Sequence, residues 1–302
     1  MSQPVPAQGR IHVNGVELAY FEWRPELRGR EASILLVHAT GFHARCWDPV
    51  IRRLGERHVI AVDQRGHGRS QKIEITHWKD LGQDLAALVE ALDLRDVLGV
   101  GHSMGGHAMV DAAATCPGRF RRLVLIDPVI ASPETYGGGG WTIASLGGKQ
   151  HPTAKRKRRF ESPEAMIERF RDRVPYRVFH PDALSAYCMY GLLPAEDGNG
   201  FVLACSPEIE ASVYMTSRSN PGVHDSARAL EIPVLLLRAK LPPDGRSVMD
   251  FSSSPTWPQL VKEFRYGSEI HFPEHTHFLP MEIPDRVAEL ILTGGAARGG
   301  AI

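Results

Sequence analysis

Val97-Leu98-Gly99-Val100-Gly101-His102-Ser103-Met104-Gly105-Gly106 is the stretch on which the fold turns. Val97 to Val100 is an apolar run without alternation, too short for a core helix, and it reads as a parallel strand covered on both faces. Gly101 to Gly105 then fits G-x-S-x-G, and from His107 the apolar residues follow a helical pattern. In a strand–turn–helix setting this pentapeptide lifts the serine onto a strained bend with its Oγ exposed above the sheet. Glycines two before and two after the serine let strand and helix backbones approach without Cβ clashes. The helix N-terminus behind it favours developing negative charge. Ser103 is therefore the candidate nucleophile.

Further short strand-like runs flank this unit: Ser33–Val37, His58–Val62, Leu123–Ile126 and Pro233–Leu237. Between them, Trp78–Leu94 sets Leu81, Leu85, Leu88, Val89 and Leu92 at three- and four-residue steps, and His107–Ala114 and Asp285–Leu292 carry similar stripes. Alternation of strand and helix predicts an α/β protein with a doubly wound, mostly parallel sheet and right-handed crossovers. Ligands then bind beyond the carboxyl ends of the strands. At the N-terminal side, Asn14-Gly15 between apolar residues from Arg10 to Trp23 signals a two-residue hairpin. The rhythm breaks after Pro128 and strand signals resume only at Ile232. We read residues 131–225 as an inserted helical cap, with 1–130 and 226–302 forming the core. Gly137 to Gly140, beside Tyr136 and Trp141, reads equally as a lid hinge or an irregular loop.

Composition removes several function classes. Thirty-five basic residues balance 35 acidic ones in 302, which argues against a nucleic-acid partner, since polyanion affinity needs a basic excess on one face. Cys46, Cys116, Cys188 and Cys205 show no C-x-x-C or Cys/His ligand spacing, so buried free thiols are expected and a metal site is not. No apolar run approaches about 18 residues, and Met1 to Arg10 has no apolar leader pattern. The expectation is a cytoplasmic protein without a membrane partner.

Four motifs together resemble the α/β-hydrolase superfamily, in its serine-nucleophile, esterase- and lipase-like branch, over nearly the whole chain. Leu36-Val37-His38-Ala39-Thr40-Gly41 is similar to the family's oxyanion turn after the third strand, with Ala39 where the family usually has glycine. Asp63-Gln64-Arg65-Gly66-His67-Gly68-Arg69-Ser70 is similar to its D-x-R-G-x-G-x-S turn, and Gly101–Gly106 to its nucleophile bend. His277-Phe278-Leu279-Pro280-Met281-Glu282, before a terminal amphipathic stretch, resembles its catalytic-histidine segment, a context that His271 and His275 lack. The resemblance implies His277 as the base that takes the serine's proton. It also implies the backbone N–H groups of Thr40 and Met104 as oxyanion donors.

An acid must complete the set by orienting the imidazole, and in this superfamily it follows either the sixth or the seventh strand. Asp127 ends the sixth, in Leu125-Ile126-Asp127-Pro128; Asp250 and Asp244 are the alternatives after the seventh. The cap segments around Arg158-Arg159-Phe160 and Ala204–Ala211 resemble a branch with fungal peroxisomal lipase-like and acyl-CoA-hydrolase-like proteins, which favours Asp127.

The resemblance implies an ester hydrolase that works on a small-molecule acyl substrate through an acyl-enzyme and needs no cofactor and no metal. Lactonase, acyl-CoA thioesterase and carbon–carbon hydrolase chemistry remain alternatives on the same residues. So does a ligand-sensing receptor that keeps the fold. Lys155-Arg156-Lys157-Arg158-Arg159 reads as a solvated basic stretch or, alternatively, an anion site. Phe42, Trp47, Met104, Tyr187, Met189 and Tyr190 are candidates for an apolar acyl pocket, although core packing explains each equally well.

Overall fold

A computed structural model describes residues 5–137, 151–243 and 250–296. The strands are β1 (Ala7–Val13), β2 (Val16–Trp23), β3 (Ile34–Val37), β4 (Val59–Val62), β5 (Val97–His102), β6 (Phe120–Ile126), β7 (Arg159–Phe160), β8 (Leu192–Pro194), β9 (Phe201–Leu203), β10 (Val234–Ala239) and β11 (Gly267–Phe272). Eight of them form one sheet in the order β1-β2-β4-β3-β5-β6-β10-β11. From β4 to β11 every pairing is parallel; β1 and β2 add an antiparallel edge. Val13 pairs with Val16 across the predicted two-residue turn, with Asn14 and Gly15 both at positive φ (46° and 72°), the conformation a type I′ turn requires.

The helices are α1 (Asp48–Ile51), α2 (Lys79–Ala91), α3 (Met104–Thr115), α4 (Pro133–Gly137), α5 (Pro163–Phe170), α6 (Pro181–Tyr190), α7 (Pro207–Met215), α8 (Val223–Ala229), α9 (Leu279–Glu282) and α10 (Pro284–Thr293). Two hydrophobic cores explain why the parallel strands are apolar without alternation. Leu35, Val37, Ile60, Val62, Leu123 and Leu125 pack with α2, α3 and α8 on one face. Their neighbours Ile34, Leu36, Val59, Ala61, Val124 and Ile126 pack with α1 and α10 on the other. Each strand thus serves two layers with a period of two, and both sides must be apolar.

Two features were not visible in the pattern of residues. Strand β11, Gly-Ser-Glu-Ile-His-Phe, is the far edge of the sheet, bonded only to β10 and exposed or half-buried throughout, so it carries no continuous apolar signature. Between β6 and β10 the chain holds helices, as expected, and also a three-stranded antiparallel sheet in the order β7-β9-β8. Its strands have two or three residues each, below the length at which alternation can be read. The expected boundary at residue 225 falls inside α8, whose Val223 and Ala227 already belong to the core beneath α3.

The inserted segment has its own aromatic core. Phe160, Met166, Phe179 and Tyr187 pack there with Phe42 of the loop after β3 and Phe278. All four cysteines are buried free thiols. Among the described residues no helix is long and apolar enough to cross a membrane.

Candidate active site

Ser103 sits between β5 and α3 at φ 58°, ψ −120°, a backbone conformation that a non-glycine residue adopts only when its surroundings hold it there. They do. Its N–H donates to Ile126 O (3.0 Å), and its carbonyl accepts from the N–H groups of Gly106 (3.0 Å), Val129 (3.1 Å) and His107 (3.3 Å). The flanking glycines are required by backbone rather than by side chains. A Cβ on Gly101 would lie 2.3 Å from Gly105 O, and one on Gly105 would lie 2.4 Å from Val37 O and 2.6 Å from His38 O. The bend is therefore pressed against the end of β3.

His277, contributed 174 residues further along the chain, brings Nε2 to 2.9 Å from Ser103 Oγ. Its Nδ1 lies 2.7 Å from Asp127 Oδ2. Ser103, His277 and Asp127 are all buried. Since the Asp127 carboxylate can only accept, Nδ1 carries the ring proton and Nε2 is free to accept from the serine hydroxyl. Of the rival histidines, His271 is exposed on β11, and His275 Nδ1 meets Glu282 Oε2 at 3.1 Å.

Of the two described acids considered, Asp127 is the one that meets the imidazole. Asp250 Oδ1 accepts the Ser252 N–H at 2.8 Å, and Asp244 lies outside the described residues, as do residues 138–141 of the expected hinge. The loop after β10 supplies hydroxyls to Asp127. Ser254 Oγ donates to Asp127 Oδ1, Thr256 Oγ1 lies 3.2 Å from the same oxygen, and the Ala239 N–H donates to it at 3.1 Å. Nothing in the sequence marked Ser254 or Thr256, because serines and threonines in a Pro/Ser-rich loop look alike until the loop is folded.

The turn Ala39–Gly41 lines the same cavity as Ser103, and Met104 opens α3 immediately after it. In the described structure the N–H groups of Thr40 and Met104 donate to no protein acceptor. The turn is braced from below. The Gln64 N–H donates to His38 Nε2 (3.0 Å), so the His38 proton is on Nδ1, which donates to Ala39 O (2.8 Å). Gln64 Nε2 donates to His38 O (2.7 Å). Asp63 accepts the N–H groups of Ala44 and Arg69, both at 2.7 Å. The Asp63–Ser70 motif thus ties the β4 turn to the loop that follows β3. His102 holds the opposite side: its Nε2 donates to His277 O at 2.8 Å. Burial, with His277 as the next cause, keeps the His102 ring well below the ordinary histidine range and therefore neutral.

A cavity of about 410 Å³ opens from Ser103 and His277. Phe42, Trp78, Tyr187, Tyr214, Phe251 and Phe278 supply much of its wall. Of the six acyl-pocket candidates, Phe42 and Tyr187 line it. Trp47 and Met104 are buried in separate cores, Met189 is exposed, and the Tyr190 ring lies 3.8 Å from the Arg45 guanidinium carbon. The basic stretch 155–159 divides as well. Arg158 and Arg159 pair with Glu208 and Asp197 at the surface, whereas Arg156 turns into the cavity and pairs with buried Glu210. Burial pushes the Glu210 carboxyl up, against the opposing pull of Arg156. Among the described residues no three His, Cys, Asp or Glu side chains are grouped to hold a metal ion.

Residues 34–290 match a family described as "Alpha/beta hydrolase family". The 2-(acetamidomethylene)succinate hydrolase of Mesorhizobium japonicum is 37% identical over 102 residues, 33% of this chain and 37% of that protein. The non-heme chloroperoxidase of Streptomyces lividans is 35% identical over 130 residues, 40% of this chain and 46% of that one. The chain thus spans less than half the length of these curated relatives. Among solved structures, E-2-(acetamidomethylene)succinate hydrolase superposes with a TM-score of 0.69 at 23% identity, over 96% of this chain and 98% of that one, a likeness of fold.

Proposed function

From the premise that this chain belongs to the alpha/beta hydrolase family, we propose that it is a serine hydrolase cleaving carboxylic esters of small to medium apolar acyl groups. The observation that carries the reading is the unbroken relay from Ser103 Oγ to His277 Nε2 (2.9 Å) and from His277 Nδ1 to Asp127 Oδ2 (2.7 Å), at the base of an aromatic cavity.

In the first half-reaction His277 Nε2 takes the Ser103 proton as Oγ bonds to the ester carbonyl carbon. The carbonyl oxygen becomes an oxyanion, received by the N–H groups of Thr40 and Met104; losing one such donor costs about 2.7–4 kcal/mol in comparable sites. The tetrahedral intermediate collapses as the C–O bond to the alcohol breaks, and the imidazolium gives its proton to the leaving oxygen. Water then attacks the acyl-enzyme with His277 again as base, which releases the acid and restores Ser103. Asp127 keeps the ring in the required tautomer and stabilises its charged form. Neutral His102 adds no second positive charge beside the imidazolium.

Replacing Ser103 with alanine tests the proposal. Ser103→Ala is expected to lower p-nitrophenyl ester turnover at least 10⁴-fold and to abolish labelling by a fluorophosphonate probe, with the thermal unfolding transition retained. Turnover within tenfold of wild type would remove the hypothesis. A panel of esters, lactones and acyl-CoA thioesters then ranks the acyl chemistry.

A further inference from the structure

One wall of the cavity carries an ion pair whose hydrogen-bonding capacity is only partly used. Arg156 Nη1 donates to Glu210 Oε2, and Nη2 lies 2.9 Å from the Tyr176 hydroxyl and 3.1 Å from that of Tyr187. All four residues line the same cavity as Ser103. Both phenol oxygens accept from Nη2 and keep their own hydrogens. The hydroxyls are 3.4 Å apart, so one can donate to the other, which leaves one phenolic O–H unplaced. On the acid side, no described group donates to Glu210 Oε1. That oxygen lies 2.8 Å from where a Cβ on Gly41 would stand, next to the oxyanion turn.

An open carboxylate acceptor and an open phenolic donor, set in aromatic surroundings, match a ligand group that donates one hydrogen bond and accepts one. The charges decide what kind of group that is. Glu210 already balances Arg156, so a ligand carboxylate would set a second negative charge against Oε1. A purely apolar group would leave the buried acceptor without a partner. We infer that Arg156, Glu210, Tyr176 and Tyr187 form a subsite for a hydroxyl carried by an uncharged ester close to its scissile carbonyl. This rests on the serine-hydrolase reading above and narrows its substrate class. A purely structural ion pair, tying α7 to the segment before β7, would not discriminate between substrates.

The test compares esters that differ only by a hydroxyl in place of a methyl: ethyl 3-hydroxybutanoate with ethyl 3-methylbutanoate, ethyl lactate with ethyl isobutyrate, and 2-hydroxyethyl butanoate with propyl butanoate. Monoethyl succinate is the charged arm. Each kcat/KM is divided by the ester's hydroxide-catalysed rate. At least one hydroxyl ester should be preferred about tenfold or more over its methyl partner, as expected for a hydrogen bond to a buried charged group. The Arg156→Met/Glu210→Met double variant removes both charges together, so neither is left buried alone, and should bring that ratio to about one. Should this variant not fold, Glu210→Gln, which keeps shape and removes the charge, should lower the ratio at least threefold.

The proposal is overturned if no pair shows the preference, if it survives in the variants, or if monoethyl succinate outranks every hydroxyl ester. Failure of the parent reading looks different: no ester in the panel turns over and the fluorophosphonate does not label Ser103. In that event calorimetric binding of the same pairs to Ser103→Ala protein still decides the subsite, with tighter binding of a hydroxyl ester supporting it and equal binding overturning it.

Discussion

Asp127→Asn changes a single atom in size and shape terms, yet the surroundings dictate its consequence. Oδ1 of Asp127 receives the Ala239 N–H at 3.1 Å and the Ser254 hydroxyl; Oδ2 faces His277 Nδ1 at 2.7 Å. Serine and threonine hydroxyls can rotate to accept, but the Ala239 N–H can only donate. An asparagine must therefore turn its carbonyl oxygen toward Ala239 and its NH₂ toward His277. The imidazole then accepts at Nδ1 and carries its proton on Nε2, facing Ser103 Oγ with no lone pair to take the serine's hydrogen. The expected loss in kcat is of the order of 10⁴, about 5.5 kcal/mol at about 1.36 kcal/mol per decade. Initial rates on a p-nitrophenyl ester measure it, with thermal unfolding as a check on folding. Asp250→Asn, made in parallel, should stay within about threefold of wild type. A loss below tenfold for Asp127→Asn, or a larger one for Asp250→Asn, would refute the assignment of the acid.

Two further predictions concern the scaffold around the site. Burial lowers His38 and His43 to about 4 and His67 to about 3, so the folded protein keeps all three neutral. The unfolded chain takes up these protons below about pH 6.5, so their contribution is fully present above that pH and is lost as pH falls to about 4 for His38 and His43 and to about 3 for His67. With three protons the slope reaches about 4 kcal/mol per pH unit. Urea midpoints at pH 7.5, 5.5 and 4.5 should fall steeply, and a flat profile would contradict the buried neutral assignment. Gly105→Ala places a Cβ against the carbonyl oxygens of Val37 and His38. Because backbone must move, a destabilisation of about 1–3 kcal/mol and a larger proportional loss of kcat than of substrate affinity are expected, and a variant as stable and active as wild type would show that the elbow tolerates separation from β3.

The amino-acid sequence by itself determined the layered α/β architecture and the serine bend, because each leaves a signature readable within a few residues, and it marked the histidine segment through its resemblance to the family's motif. Asn14-Gly15 makes its own turn, alternate residues of each parallel strand feed two cores, and Gly101 and Gly105 remove the Cβ atoms that would hold strand, bend and helix apart. Tertiary structure decided which carboxylate meets His277, since Asp127 and Asp250 both follow strands and only the packing of the loop after β10 shows Ser254, Thr256 and Ala239 converging on one of them. It also separated Arg156 from Arg158 and Arg159, residues of one charge in one short run. The direction in which each long side chain leaves the backbone depends on partners 54, 50 and 38 positions away, Glu210, Glu208 and Asp197, and no local pattern encodes contacts at that separation.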